Sequence, residues 1–266
     1  MRVFACAGFV CTVVLALVSA GSPTLAASPA APPECRTSLA RDDVLAGVGA
    51  RGELVLASGS RAVLDGLHLP EAPDAAAGAG AWLEGHRGRT LTLVARGETD
   101  RWGRAHVDAT TDHSLDLAGG LVEAGLAAVA AGERDALCRP ALLAVEAGAR
   151  GAGRGVWSAT LPEARDGAAL RAQIGRFVVA HGRVLNVGER PRRTYLNFAR
   201  RGEDGLTVTV SKRTWRQLQE RGLSATALKG RRVRVRGVVE SWRGPTLDIA
   251  SADMIELLDE ERAPRR

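Results

Sequence analysis

The chain has 266 residues, of which 45% are hydrophobic, 25% charged and 4% aromatic, and its formal net charge is +6. That is enough apolar material for a hydrophobic core, which excludes a wholly disordered chain and a polytopic membrane protein. The positive charge directs attention to anionic partners, although nearly all of it is arginine, with Lys212 and Lys229 as the only lysines, a composition that GC-rich coding also produces.

The chain begins with Arg2, an apolar run from Val3 to Val18, and small residues at Ser19, Ala20, Ala26 and Ala27. This order predicts a signal peptide over 1–27 and an exported protein, periplasmic or secreted. An uncleaved anchor is the alternative, since the apolar run approaches the shorter spanning lengths. After cleavage no stable membrane insertion is expected. Residues 28–43 read as a tether and the start of the first domain. Cys6 and Cys11 leave with the signal, so Cys35 and Cys138 remain. An even count in an oxidising compartment predicts a disulfide. It would close a loop of roughly 100 residues, worth on the order of 4–5 kcal/mol in the chain-entropy model.

The next stretch, 44–160, reads as one domain. Gly52–Ala57, Arg61–Leu67, Thr90–Ala95 and Arg104–Ala109 alternate or run apolar between glycine-containing turns, which predicts strands. Ala75–Leu83, Leu115–Val129 and Pro140–Arg150 carry helical spacing, with Pro140 suited to a first turn. Residues 161–174 read as a linker.

A second domain is expected over 175–258, before a charged tail at 259–266. It reads strand (Arg176–Val187), strand (Thr194–Ala199), strand (Leu206–Val210), helix (Arg213–Arg221), strand (Arg231–Glu240) and strand (Thr246–Ala250). Five strands with a helix between the third and fourth follow the order of an OB-type barrel, with Trp215 and Leu218 seating the helix. The charge is divided unevenly: residues 36–160 hold 13 basic and 16 acidic side chains, whereas 171–251 hold 18 and 6. The basic character belongs to the rear.

Three blocks in the front half carry a resemblance. They are Val63-Leu64-Asp65-Gly66-Leu67-His68-Leu69-Pro70-Glu71, then Asp100-Arg101-Trp102-Gly103-Arg104, then Leu121-Val122-Glu123-Ala124-Gly125-Leu126-Ala127 with Gly153-Arg154-Gly155-Val156-Trp157. In this order they resemble the thermonuclease (staphylococcal-nuclease-like) family. Tyr195-Leu196-Asn197-Phe198 and Val235-Arg236-Gly237 look like a module found behind such domains in exported bacterial relatives. The resemblance implies an α+β, mainly β chain: an OB-fold barrel of the staphylococcal-nuclease type with packed helices, followed by a second OB-like five-stranded barrel.

The chemistry that the resemblance implies is calcium-dependent hydrolysis of nucleic-acid phosphodiesters. Two aspartates hold the ion, a glutamate serves the attacking water and two arginines neutralise the phosphate. Carried over by position, the glutamate is Glu71 and one arginine is Arg104. The other arginine falls on Val63, the metal aspartates fall on Gly52 and His68, and the neighbouring threonine on Leu69. Glu53 follows Gly52, but one residue along a strand turns a side chain to the opposite face. Arg61, Val63 and Asp65 share a face by strand parity. Arg61 is therefore a candidate phosphate contact, while Asp65 with His68 and Glu71 would suit a transition metal better than calcium. His86, His106, His113 and His181 have no metal-ligand spacing. Trp102 and Trp157 read as packing anchors.

In the rear, Arg232, Arg234 and Arg236 alternate with Val233 and Val235, and same-face neighbours along a strand lie ~6.8 Å apart. Arg190, Arg192 and Arg193 form a basic hairpin tip, and Arg200-Arg201 a second one. These arginines are candidate phosphate contacts; the alternative is that they keep edge strands from pairing with other chains. The reading that follows is an exported, non-catalytic protein with a degraded metal site that binds nucleic acid, another anionic polymer or an envelope partner. The alternatives are an active metal-dependent nuclease and a structural envelope protein. No cofactor is expected, and Ca²⁺ only with the nuclease.

Overall fold

In the computed structural model, residues 32–258 are described apart from Glu133 and Arg201. The expected signal peptide, the first residues of the tether, the charged tail and Arg201 of the second basic tip lie outside the described residues.

The front half builds a barrel from β1 (Arg41–Val48), β2 (Leu54–Leu56), β3 (Arg61–Leu64), β5 (Thr90–Ala95) and β6 (Ala105–Thr111). β5 shows the alternation that drives it: Leu91 and Leu93 are buried while Thr90 and Thr92 face out. β1 pairs with β2 on one edge and β5 on the other, and β3 runs parallel to β6. The ring β1-β2-β3-β6-β5 is closed. Leu45, Leu54, Leu56, Ala62, Leu64, Leu91, Leu93, Val107 and Ala109 fill it. β1 has no counterpart among the expected strands. It opens on Arg41-Asp42-Asp43, all partly or fully exposed, and its pairing shifts register between Leu45 and Gly47, so its apolar alternation is broken.

Helix α1 (Pro73–Glu84) crosses between β3 and β5, starting at a proline that needs no partner for its missing N–H. A two-residue strand, β4 (Leu67–His68), pairs with β7 (Ala128–Val129). The helix expected over Leu115–Val129 is shorter: α2 (Leu117–Glu123) stops before Gly125, whose φ of +70° breaks helical geometry. That glycine is required by a close approach. A Cβ on Gly125 would collide with the backbone of Arg154, and one on Gly155 (φ +53°) with the backbone of Gly125. The Val156 N–H donates to the Gly125 carbonyl at 2.9 Å, so the third block and its Gly-Val-Trp end meet in space. α3 (Leu142–Gly151) packs on α2. Cys35 and Cys138 are bonded, with Cα atoms 5.1 Å apart, tying the entrance of the chain to the loop before α3.

The 161–174 stretch is itself packed: α4 (Gly167–Arg171), capped by the Asp166 side chain, buries Leu170. Beyond it come β8 (Phe177–Arg183), β9 (Asn186–Glu189), β10 (Arg193–Asn197), β11 (Thr207–Ser211), α5 (Lys212–Glu220), α6 (Ala225–Leu228), β12 (Arg232–Ser241), β13 (Pro245–Ile249) and β14 (Ile255–Leu257). Ser211 caps α5 by accepting from the Thr214 N–H at 3.0 Å, and Trp215 and Leu218 are buried under the sheet as expected. The expected second closed barrel is corrected. The path β14-β12-β13-β11-β10-β9 curls into a half-barrel, with β8 off this path, paired with β12 and bridged at His181 to Glu163. The reason lies at Val184 and Leu185. The Val184 N–H donates to Arg231 on the β12 side and the Leu185 N–H to Asn197 on the β10 side. The single long strand expected over Arg176–Val187 is therefore divided at this point into β8, which pairs with β12, and β9, which pairs with β10.

One hydrophobic cluster runs through both halves, from Leu45 and Leu121 to Val208, Val235 and Ile249. Among the described residues no helix is long and apolar enough to cross a membrane.

Candidate functional site

The positions that the resemblance singles out sit on the front barrel and the turns beside it. Gly52 occupies the turn between β1 and β2 with φ +74°, and the space a Cβ would need there is taken by the Leu69 side chain. A carboxylate at position 52 would have to adopt this positive φ and push the Leu69 side chain aside. Glu53 is buried, accepts from the Arg51 N–H at 2.9 Å and lies 3.8 Å from Arg61. Burial pushes its carboxyl up, but the Glu53 and Arg51 amides with Arg61 and Arg104 outweigh this and hold it below the ordinary glutamate value.

Asp65 is 2% exposed and is held by Arg134 at 2.5 Å, with His106 Nδ1 3.7 Å away. Its pKa is raised, burial outweighing Arg134 and His106. His68 instead faces Glu71 at 3.4 Å and stacks on Phe177 with ring centroids 4.3 Å apart. Burial lowers its pKa against the pull of Glu71, which favours the neutral imidazole. Asp65 thus serves an ion pair with Arg134 and does not join His68 and Glu71. Among the described residues no three His, Cys, Asp or Glu side chains gather as metal ligands. At the two positions where the resemblance implies metal ligands, a glycine beside Leu69 and a histidine offer no carboxylate oxygen for calcium.

Arg104 is committed elsewhere too: its Nε donates to Asp100 at 2.8 Å. Trp102, read above as a packing anchor, is 57% exposed between Arg101 and Arg104, whose guanidinium carbons lie 4.2 and 4.8 Å from its ring centroid. Trp157 is the buried anchor expected, with Arg150 over its ring. Where front and rear meet, His68, Glu71, Trp157, Leu161 and Phe177 line a largely apolar pocket of about 500 Å³.

The rear arginines separate by environment. Val233 and Val235 fill the core as their parity requires. Arg236 does not line an open face: it is 1% exposed, donates to both oxygens of Glu146 on α3 at 2.7 and 2.9 Å and to the Val129 carbonyl at 3.1 Å, and also pairs with Glu256. The front half covers this end of β12, so Arg236 is withdrawn from solvent. Arg234 is half-buried against Glu256 at 3.1 Å, and burial, with Arg150 and Arg236 nearby, lowers its pKa despite that partner. Arg232 remains exposed, 3.7 Å from Glu163. At the β9–β10 tip Arg192 is exposed, and Arg193 pairs with Asp248 across the sheet.

Two concavities, of about 540 and 580 Å³, adjoin through Leu185, Ala199, Arg200 and Glu203. Arg165, Arg183, Arg200 and Arg232 converge on the first, against Glu163 and Glu203. Asn186, Asn197 and Thr207 line the second. This groove lies where the chain switches partner around Leu185. Of its arginines, sequence reading singled out only Arg200 and Arg232; Arg165 and Arg183 sit on separate elements with no shared pattern. No family model matches the chain, and no curated protein matches it either.

Proposed function

We propose that the chain is a non-catalytic binding protein for an anionic polymer, nucleic acid foremost, held in the groove of Arg165, Arg183, Arg200 and Arg232. The convergence of these four arginines on one concavity, against two glutamates, carries the reading. Arginine forks suit phosphate oxygens, and the rear holds most of the positive charge. The Cys35–Cys138 bond fits an oxidising, extracytoplasmic setting. The nuclease reading loses support at Gly52, where Leu69 fills the space of the metal carboxylate.

The test is fluorescence anisotropy of labelled duplex and single-stranded DNA with increasing protein and salt, followed by a gel of the same samples with Ca²⁺ or chelator. Binding that weakens linearly in log salt, with DNA intact in both, is expected. Calcium-dependent cleavage, or no binding at low salt, would overturn the proposal.

A further inference from the structure

The groove does not end at Asn197 and Thr207. These residues pair across β10 and β11, and two residues further along the same face Tyr195 pairs with Thr209, a step of ~6.8 Å. Thr209 in turn stands beside Asp248 of the parallel strand β13. Arg193, Tyr195, Thr209 and Asp248 therefore form one patch on the outer face of the sheet. It is held by Arg193 donating to Thr209 at 3.2 Å and Thr209 donating to Asp248 at 2.8 Å.

Trp242, in the turn after β12, leans over this patch. It is 50% exposed, its ring lies within 21° of the Tyr195 plane at a centroid distance of 6.2 Å, and the Arg243 guanidinium carbon lies 5.3 Å from its centroid. With Glu240 and Thr246 these residues enclose a hollow of about 230 Å³. A half-exposed tryptophan beside a tyrosine, with carboxylates and hydroxyls at its foot, has flat surface for a ring and acceptors for amino groups on its edge.

The geometry points to an unpaired nucleobase as the occupant, so that the rear sheet takes single-stranded nucleic acid: phosphates along the arginine groove and a base on the Tyr195–Trp242 shelf. This inference rests on the binding reading above and adds the strand class. Duplex bases are stacked within the helix and present no free face to the shelf. Glu240 suits an exocyclic amino group, which donates, while Asp248 is already held by Arg193 and Thr209. A neutral sugar ring would use the same aromatic face but gains nothing from the adjoining four-arginine groove.

The experiment uses the full chain with four probes: oligo(dT), oligo(dA), an abasic oligonucleotide of the same length, and the corresponding duplex. Oligo(dA) and oligo(dT) should bind more tightly than the abasic strand and the duplex. Trp242→Ala should weaken binding of the base-bearing single strands by roughly 5- to 100-fold while leaving the abasic strand and the salt slope unchanged. Trp242→Phe should restore most of the loss. The wild-type comparison with the abasic strand needs no variant, so a folding defect in Trp242→Ala leaves the test intact. Equal affinity for base-bearing and abasic strands overturns the inference and leaves the groove reading standing. Binding of none of the four overturns both. Cellohexaose that protects Trp242 from fluorescence quenching when oligo(dT) does not would assign the shelf to sugars and overturn the base.

Discussion

Arg236 of the rear sheet and Glu146 of the front helix α3 form a fully buried ion pair, each side chain with no exposed surface. It is a fully buried polar link between the two halves, and it inverts the role that strand parity suggested for Arg236. Removing either partner opens a buried network in which Arg236 also pairs with Glu256 and Glu146 also accepts from Arg150 and the Val129 N–H, so the cost stays below the roughly 3–5 kcal/mol of a buried charge left wholly unpaired. Arg236→Ala or Glu146→Ala should therefore lower the urea midpoint sharply, while a paired apolar replacement, Arg236→Met with Glu146→Leu, recovers much of the loss. Single variants as stable as wild type would refute this. A rear fragment cut near residue 168 would lose Glu146 altogether and should be poorly folded.

The salt dependence of binding should distinguish the exposed arginines from the buried one. Arg200→Ala and Arg232→Ala should each flatten the slope of log affinity against log salt on duplex DNA by ~0.9 if that side chain meets one phosphate. The test is a titration at several salt concentrations for each variant. Unchanged slopes in both would make these residues edge protection.

Placing a carboxylate at position 52 should not produce nuclease activity. Gly52→Asp must adopt a positive φ and displace Leu69, so it should lose stability, with strain of about 1–3 kcal/mol. Calcium should neither stabilise the variant nor elicit cleavage. A calcium-dependent rise in its melting temperature would show that the cleft can still close on the ion.

Stability should fall on mild acidification. Burial lowers the pKa of His68, His86 and His106, so the folded state binds protons less readily than the unfolded chain. Their stabilising contribution is complete above the ordinary histidine value of ~6.5 and is lost as pH falls below it toward the depressed folded values. The melting temperature should drop between pH 7.5 and 5.5, and less so in His68→Gln. A flat profile over that interval would refute the neutral-histidine reading. Asp65 has the opposite sign: burial raises its pKa, so its contribution is complete below the ordinary aspartate value and is lost as pH rises through the raised folded one.

Breaking the Cys35–Cys138 bond should lower stability by about 2–5 kcal/mol. Chemical unfolding with and without reductant, and of Cys35→Ser with Cys138→Ser, measures it. Identical midpoints would mean that the bond constrains little in the unfolded chain.

Local pattern carried much of the fold. Thr90–Ala95 and the helix holding Trp215 and Leu218 were legible because one face of each is buried with a regular period. β1 was hidden by Asp42, Asp43 and a bulge, and the helix toward Val129 was read too long because nothing local reveals what Gly125 must approach. At the candidate sites, the residues at positions 52, 63 and 68 differ from the pattern that the resemblance implies, and those differences are local to the sequence. The burial of Arg236 was not, since the helix that covers it lies 90 residues earlier in the chain. Trp242 escaped notice because it sits in a turn, outside any period, and meets Tyr195 only through the sheet.

The contact between Gly125 and Gly155 divides the chain's glycines by what they tolerate. In a saturation library screened for folded protein, these two positions should return glycine almost alone, since even alanine would drive a methyl group into a facing carbonyl. Gly148 and Gly151, only a few residues away on α3, meet nothing within 4 Å and should accept alanine with a gain, because alanine restricts the unfolded chain and favours helix. Glycines that look interchangeable in a Gly-rich stretch would then sort into immutable and improvable positions, and that pattern could be read without any knowledge of the ligand.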